Sequence, residues 1–333
     1  RAGVALAEIV SKPDLRTGRE AAEYASEIRR IMRYLGVSDG NMQEGSLRCD
    51  VNISVRRGPD APFGTKVEIK NMNSFSAIQK AVDYEIKRQV KAYEAGEPVV
   101  QETRLWDEGK QLTKSMRSKE GASDYRYFPD PDLGPIEVSP EQREGWRAEL
   151  PELPAAKRHR YADDLGLSQY DARVLTDERQ MADYFEAVVT AGADAKLSAN
   201  WITGDLAAYV NSNRLSFAAL PFRPEQLSEM VQLIDGGKIS GKIAKEILPE
   251  LLEKGGSPKA IVDERGLGMI SDPAAIEAIV DELLGAHPEE VEAFRGGKTK
   301  LQGFFVGQLM KKTGGKADPK LANQILSQKL KGG

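Results

Sequence analysis

The hydrophobic period of the chain changes near residue 138, and this change restricts the possible folds more than any other feature. Before it, apolar residues stand at every second position from Leu47 to Val55, which is the period of a half-buried strand. After it, apolar residues recur every three or four positions, and prolines stand where helices would begin. The sequence therefore predicts an α+β protein whose strands all precede residue 138.

Two β-hairpins and two long helices are predicted in the first region. Each hairpin consists of two alternating segments around a turn: residues 46–57 with 66–70, and residues 99–106 with 111–116. Helices are expected from about Arg19 to Leu35 and from about Ser74 to Ala95, because apolar residues have helical spacing and a glycine follows. We expect these segments to form a mixed or antiparallel sheet with helices.

Three domains are predicted. A chain of 333 residues exceeds what one hydrophobic core usually serves. The change of period places one boundary near residue 138, and Gly255-Gly256-Ser257-Pro258 is the best candidate for a second joint. We therefore expect domains at residues 1–138, 139–256 and 257–333.

The scarcity of cysteine and histidine excludes several kinds of chemistry. The chain has one cysteine, Cys49, and two histidines, His159 and His287. These residues are too few for a disulfide within the chain or a zinc site of N and S ligands, and neither histidine lies in a segment typical of a catalytic triad. Carboxylates, Lys, Arg, amides and a hard metal remain. No apolar run is long enough to span a membrane, and a cytosolic (cytoplasmic) protein is expected.

Charged and amide side chains share the polar face of the first predicted hairpin. Arg48, Asp50 and Asn52 alternate with apolar residues, and Glu68 and Lys70 lie on the strand expected to pair with them. Carboxylates beside Lys, Arg and Asn suit a site for magnesium and phosphate. An ordinary cross-strand charge ladder would give the same pattern, so the pattern alone leaves both interpretations open.

Glu8 is a second candidate. It lies in the otherwise apolar stretch Val4–Val10, where a charge is costly unless it is paired or binds a metal. A glutamate at the end of a strand is the simpler interpretation.

The segment Gly236–Lys242 has the glycine and lysine spacing of a phosphate-binding loop. Ile243 replaces the Ser or Thr that would hold magnesium, and Gln226–Ile234 has the spacing of a helix rather than a strand. We therefore interpret the segment as a connection between helices.

The C-terminal segment is basic although the chain is acidic. Residues 294–333 contain nine Lys or Arg against one Asp, a net charge of +8, while the whole chain has −4. Such a segment is typical of phosphate-backbone binding, and a solvated lysine-rich surface is the alternative. The candidate nucleic-acid-binding residues are Lys298, Lys300, Lys311, Lys312 and Lys316.

Several long segments resemble one enzyme family. They are AEIVSKPD (7–14), EGSLRCDVNIS (44–54), EIKNMNSF (68–75), QETR (101–104) and DYRYFP (124–129). These segments resemble the B subunits of the aspartyl/glutamyl-tRNA(Asn/Gln) amidotransferases, and the resemblance continues through residues 200–201, 240–245 and 303–310. The family's N-terminal portion, with a Glu-x-His segment that supplies metal ligands, has no counterpart here, so we expect an N-terminally truncated chain.

The resemblance implies both an architecture and an activity. It implies part of a synthetase-like cradle domain, then an all-helical domain, then a small YqeY-like helical tail that binds tRNA. It also implies a ligase that uses ATP and Mg²⁺ to phosphorylate the side-chain carboxylate of Glu-tRNA(Gln) or Asp-tRNA(Asn), after which ammonia displaces phosphate. The implied partners are the amidase (A) subunit, which releases ammonia from glutamine, the small (C) subunit and the mischarged tRNA.

The resemblance also suggests residue roles. Glu8 is expected as a magnesium ligand, Arg48, Asp50, Asn52 and Lys70 as the groups that serve the reaction, and Glu44, Asn71 and Asn73 as groups that bind the nucleotide. A catalytically silent tRNA-binding adaptor is the alternative function.

Overall fold

A computed structural model describes residues 5–118, 132, 134–270 and 272–331. The 124–129 segment of the resemblance lies outside these residues. The chain divides into two compact units, residues 1–156 and 157–333.

The first unit contains one four-stranded sheet in the order β1-β2-β3-β4. Its strands are β1 Cys49–Ile53, β2 Val67–Met72, β3 Glu102–Asp107 and β4 Leu112–Ser118. Strands β1 and β2 pair antiparallel, as do β3 and β4, which confirms both predicted hairpins. Strands β2 and β3 pair parallel and so join the hairpins into one mixed sheet.

Two helices complete this unit, α1 Gly18–Leu35 and α2 Phe75–Glu94, close to the predicted bounds. Helix α2 connects the parallel strands β2 and β3, packs on the sheet, and supports α1 in turn. The shared core contains Ala25, Ile69, Ile78 and Trp106. Because the helices supply this core, the polar residues that alternate with it along β1 and β2 lie on the opposite face.

A buried carboxylate fixes α2 to the second hairpin. Glu85 is fully buried; Arg88 Nη2 lies 2.6 Å from its Oε1, and Thr113 Oγ1 donates to its Oε2 at 3.1 Å. Arg104 Nε lies 3.7 Å from the same carboxylate and donates to Thr113 Oγ1. The hydrogen bond with Glu85 raises the pKa of Arg88 against the opposing effect of burial. A buried charge with this many partners holds two elements in one register.

Beyond residue 138 the described elements are all helices, as predicted. An isolated bridge between Ile270 and Ala317 is the only β pairing among the described residues of this region. The helices are α3 Pro140–Glu149, α4 Pro154–Asp163, α5 Gln169–Leu175, α6 Arg179–Thr190, α7 Ala195–Trp201, α8 Ala207–Asn213, α9 Pro224–Asp235, α10 Gly241–Lys254, α11 Pro258–Glu264, α12 Pro273–Ala286, α13 Pro288–Arg295, α14 Leu301–Lys312 and α15 Pro319–Leu330. A short π-helix, Ile202–Leu206, joins α7 to α8. The helix α9 before residues 236–242, and Ser240 as the N-cap of α10, confirm that this segment is a helix connection.

Two apolar clusters form the second unit. One extends from Tyr161 to Val262, and the other from Ile276 to Leu330. Val262 belongs to α11, so the first cluster continues beyond the joint expected at Gly255–Pro258. The cluster boundary lies between Leu267 and Ile270, which pack on the first and the second cluster.

Candidate functional site

A β-bulge shapes the polar face of the first hairpin. Cys49 pairs with Met72 and Val51 pairs with Ile69, so Asp50 faces two residues of β2, Lys70 and Asn71. The bulge gives Asn71 a left-handed conformation with φ 70°, which asparagine tolerates better than most residues. The extra residue turns Lys70 towards Asp50, as bulges commonly do beside sites.

Ion pairs connect the side chains that the bulge brings together. Lys70 Nζ lies 3.3 Å from Asp50 Oδ2 and 3.2 Å from Glu68 Oε1, and Arg48 Nη2 lies 3.5 Å from Asp50 Oδ2. Burial would lower the pKa of Lys70, but the hydrogen bond to Glu68 and the charges of Asp50 and Glu68 outweigh it and raise that pKa. Lys70 is therefore a permanent cation at neutral pH.

The two carboxylate oxygens of Asp50 differ, and only Oδ2 contacts Lys70 and Arg48. Its Oδ1 atom is buried and has no hydrogen-bond partner among the described residues. An unpartnered buried carboxylate oxygen is costly, and it offers a ligand position to a cation. Burial and, to a smaller extent, the charge of Asp50 raise the pKa of the Cys49 thiol, so this thiol is not an activated nucleophile.

These residues line a cleft of about 280 Å³, which we call the hairpin cleft. Arg48, Asp50, Lys70, Asn71 and Asn73 all lie on it, so five of the predicted site residues are together. The Asn71 side chain is also structural, since its Nδ2 donates to the Trp106 carbonyl at 3.2 Å and ties β2 to β3.

Three predicted site residues do not line the hairpin cleft. Asn52 is exposed and pairs with Glu68 further along the strands. Glu44 is exposed in the turn before β1, where its backbone N–H donates to Asn41 Oδ1. Glu8 is exposed in a segment without helix or strand. Among the described residues the structure therefore does not place these three beside Lys70.

Sequence reasoning missed a second cleft, of about 430 Å³, which we call the α1–α2 cleft. It lies between α1, residues 39–43 and the start of α2, and it shares Asn73 with the hairpin cleft. Arg29 and Arg33 contribute its cations. Both arginines lie on a helix rich in charged residues, and only the fold of the 39–43 turn over α1 distinguishes them.

The donor set fits magnesium bound together with phosphate. Among the described residues, no group of three or more His, Cys, Asp or Glu is arranged to hold a metal alone. Magnesium commonly uses one or two carboxylates and completes its shell with phosphate oxygens and water. The free Asp50 oxygen beside Lys70 and Arg48 meets that requirement.

The structure separates the five predicted tail lysines into two groups. Four of them are exposed, Lys298, Lys300, Lys311 and Lys312, and Lys316 is partly buried; internal contacts of Lys312 and Lys316 make the division. Lys312 forms an ion pair with Glu282, and Lys316 Nζ donates to the Gly266 carbonyl at 2.8 Å. Two of the five are therefore already engaged within the protein.

No helix in the described part of the chain combines the length and apolar character needed to cross a bilayer.

Known protein families match the chain in two parts, one within each of its two compact units. A family model described as the GatB/GatE catalytic domain matches residues 1–144, and one described as the GatB domain matches residues 183–330. Among curated proteins, the B subunit of the aspartyl/glutamyl-tRNA(Asn/Gln) amidotransferase of Synechococcus sp. strain CC9605 is 94% identical over 331 residues, covering 99% of this chain and 67% of that protein. The B subunits of Parasynechococcus marenigrum strain WH8102 and Synechococcus elongatus are 93% and 76% identical over 332 residues, covering all of this chain and 68% and 67% of those proteins. The chain thus spans about two thirds of these relatives.

Proposed function

Because the chain belongs to the family of B subunits of the aspartyl/glutamyl-tRNA(Asn/Gln) amidotransferases, we propose that its hairpin cleft activates a tRNA-bound carboxylate by ATP-dependent phosphorylation. The observation that carries this proposal is the joint position of Lys70, Arg48 and the free Asp50 oxygen on one cleft.

The residues suit phosphoryl transfer without a covalent nucleophile. Phosphoryl transfer depends chiefly on positioning and on neutralising oxygens as charge moves from donor to acceptor. Lys70, a fixed cation held between Asp50 and Glu68, is placed to neutralise those oxygens, and Arg48 adds a second, more mobile charge because its side chain is 82% exposed. When bound, magnesium would neutralise phosphate oxygens, and Asp50 Oδ1 is the carboxylate atom suited to hold it, directly or through water. Asn73 and the Asn71 backbone border the same space.

Membership of the family supports the remaining parts of the proposal. The phosphorylated Glu-tRNA(Gln) or Asp-tRNA(Asn) carboxylate is attacked by ammonia, phosphate leaves, and the amide forms. We propose that the amidase (A) subunit releases this ammonia from glutamine, that the small (C) subunit accompanies it, and that the work takes place in the cytoplasm. In the full-length protein, Glu8 is proposed as a magnesium ligand, Glu44 as a group that binds the nucleotide, and Asn52 as a group that serves the reaction.

The test uses the assembled enzyme with the full-length B subunit. Lys70→Gln should lower the rate of ATP-dependent amidation by about 10² or more, because a charge that stabilises the transferring oxygens is lost, while glutaminase activity stays near wild type. Lys66→Gln is the matched control, since Lys66 is an exposed lysine immediately before β2. If both variants amidate at the wild-type rate, the hairpin carries only a surface charge ladder.

The tail supports a second candidate, a tRNA-binding adaptor without a site of its own. Its support is the charge of +8 on residues 294–333. The adaptor predicts normal amidation by Lys70→Gln and loss of tRNA affinity when exposed tail lysines are neutralised. If the hairpin cleft is the catalytic site, Lys70→Gln should lose amidation while it still binds tRNA.

A further inference from the structure

In the α1–α2 cleft, the side chain of Arg29 is confined on two sides. Gly40 has φ +65°, and a Cβ at Gly40 would overlap the Cγ of Arg29. On another side, the Arg29 guanidinium carbon lies 5.9 Å from the centre of the Phe75 ring. The backbone of the 39–43 turn and an aromatic ring therefore confine one cationic side chain, which reduces the entropy lost when its guanidinium binds an anion.

One N–H group of Arg29 has no acceptor among the described residues. Its Nε atom is buried and has no hydrogen-bond partner among the described residues. A buried donor without an acceptor costs free energy, so the position is not what packing alone would select. A bound ligand with oxygen acceptors would offset this cost.

The charges of the cleft favour an anion. Among the described residues that line it, Arg29 and Arg33 are basic and Asp39 is acidic. The pKa of Asp39 is lowered chiefly by the backbone hydrogen bond from Asn41, then by Ser46, with burial opposing and the charges of Arg29 and Arg33 contributing less. Asp39 is therefore ionised, and its chief partners are the backbone of Asn41 and the side chain of Ser46 rather than the two arginines.

We propose that the α1–α2 cleft binds a nucleoside phosphate, with Arg29 and Arg33 on the phosphate and with Asn41 and Gln43 as amide donors and acceptors for the nucleoside. The proposal rests on the proposed function, because the shared Asn73 makes this cleft the neighbour of the phosphoryl-transfer cleft. Two substrates of that reaction have this chemistry: ATP itself and the 3′-terminal nucleotide of the charged tRNA.

The test measures amidation by the assembled enzyme with the full-length B subunit, varying ATP and charged tRNA separately. Arg29→Met keeps the apolar stem between Gly40 and Phe75 but removes the charge. It should raise the KM for one of the two substrates about tenfold or more, the effect of losing a charge-assisted hydrogen bond, with glutaminase activity and thermal stability unchanged. Arg29→Lys should recover part of this loss. Arg19→Met, at the exposed start of the same helix, is the control.

The arms identify the source of the phosphate. A raised KM for ATP, with weaker binding of a fluorescent ATP analogue, assigns the cleft to ATP. A raised KM for charged tRNA, with weaker binding of an acceptor-stem minihelix, assigns it to the tRNA terminus.

Two outcomes would overturn the inference. In one, Arg29→Met and Arg33→Gln both leave both KM values at wild type; in the other, Arg29→Met lowers only stability. These outcomes are separate from failure of the proposed function, which Lys70→Gln reports through the amidation rate. A normal rate in Lys70→Gln with a raised KM in Arg29→Met would retain the nucleoside-phosphate site and reject the hairpin as the place of transfer.

Discussion

The hairpin cleft and the tail are both rich in basic residues, but the structure uses their charges differently. In the hairpin, one bulge gathers Lys70, Arg48 and two acids around one position, and one Asp50 oxygen has no hydrogen-bond partner in the described part of the chain. In the tail, the bases are spread over α14, α15 and their flanks, and several are paired, as Lys312 is with Glu282 and Lys329 with Glu277 and Asp281. Net charge therefore measures attraction to phosphate poorly unless internal partners are subtracted.

The largest stability effect is expected where the hairpin region is fixed to α2. Glu85→Ala removes the carboxylate that Arg88, Arg104 and Thr113 share, and leaves two partly buried guanidinium groups without it. The unfolding free energy of the first unit should fall by about 3 kcal/mol, the scale for breaking a buried pair. Hydrogen exchange of the β3 and β4 amides measures this fall in unfolding free energy.

The tail offers the matched contrast. Lys329→Gln breaks ion pairs between partly exposed side chains and should change the hydrogen exchange of the α12 and α15 amides far less than Glu85→Ala changes that of the β3 and β4 amides, because exposed ion pairs are screened by solvent. Equal effects at both places would remove the difference that we draw between the two regions.

Within the hairpin, the two cations should differ. Arg48 is largely exposed and lies 3.5 Å from Asp50, whereas Lys70 contacts two carboxylates. Arg48→Ala should therefore slow amidation by about tenfold, clearly less than the 10² or more expected for Lys70→Gln. Single-turnover amidation of the two variants at saturating ATP compares them directly. A larger loss in Arg48→Ala would mean that closure over the substrate reorganises this face.

The local elements were predictable because they depend on short-range patterns. Alternation gave both hairpins, and Thr17 and Ser74 cap the helices near the predicted starts. The bulge at Asn71 has a sequence signal that alternation alone passes over: the buried positions of β2 are Val67, Ile69 and then Met72, a step of three. The predicted strand at residues 99–106 begins three residues before β3, which begins at Glu102.

The clefts depend on pairings between distant segments, which no local pattern contains. The parallel pairing of β2 with β3 places the Trp106 carbonyl against Asn71, and the 39–43 turn covers Arg29 of α1. The site roles, including those of Asn52, Glu44 and Glu8, stay predictions.

The tail lysines should differ in how they contribute to tRNA binding. Lys311 is exposed, while Lys312 must leave Glu282 before it reaches a phosphate. Lys311→Gln should lower the slope of log affinity against log salt by about one, and Lys312→Gln by less. Filter binding of charged tRNA at several salt concentrations measures both slopes.

Glu282→Gln is the sharper control, because it should strengthen tRNA binding by freeing Lys312. Deleting residues 294–333 is a poor substitute for these variants, since Phe305, Leu309 and Leu326 of that segment form the core of the second cluster. If Lys311→Gln and Lys312→Gln are equivalent, the ion pair seen here does not limit the available charge.

The smallest effect concerns acid stability, where the two regions should again differ. Burial would raise the pKa of Glu102, but its hydrogen bonds with Ser115 and Arg104 and the charges of Arg104 and Arg88 lower that pKa overall. A carboxyl whose pKa is lower in the folded state contributes stability above its unfolded value of about 4.3, and the contribution is lost as the pH falls through the folded value. Glu102→Gln should therefore lower the urea midpoint of the first unit at pH 6, and the difference from wild type should shrink as the pH falls below about 4. In α12, Glu277→Gln removes a half-exposed partner of the tail residue Lys329 and should give a smaller difference in the urea midpoint. A constant Glu102→Gln difference across this range would show that Glu102 stabilises the sheet by its shape rather than by its charge.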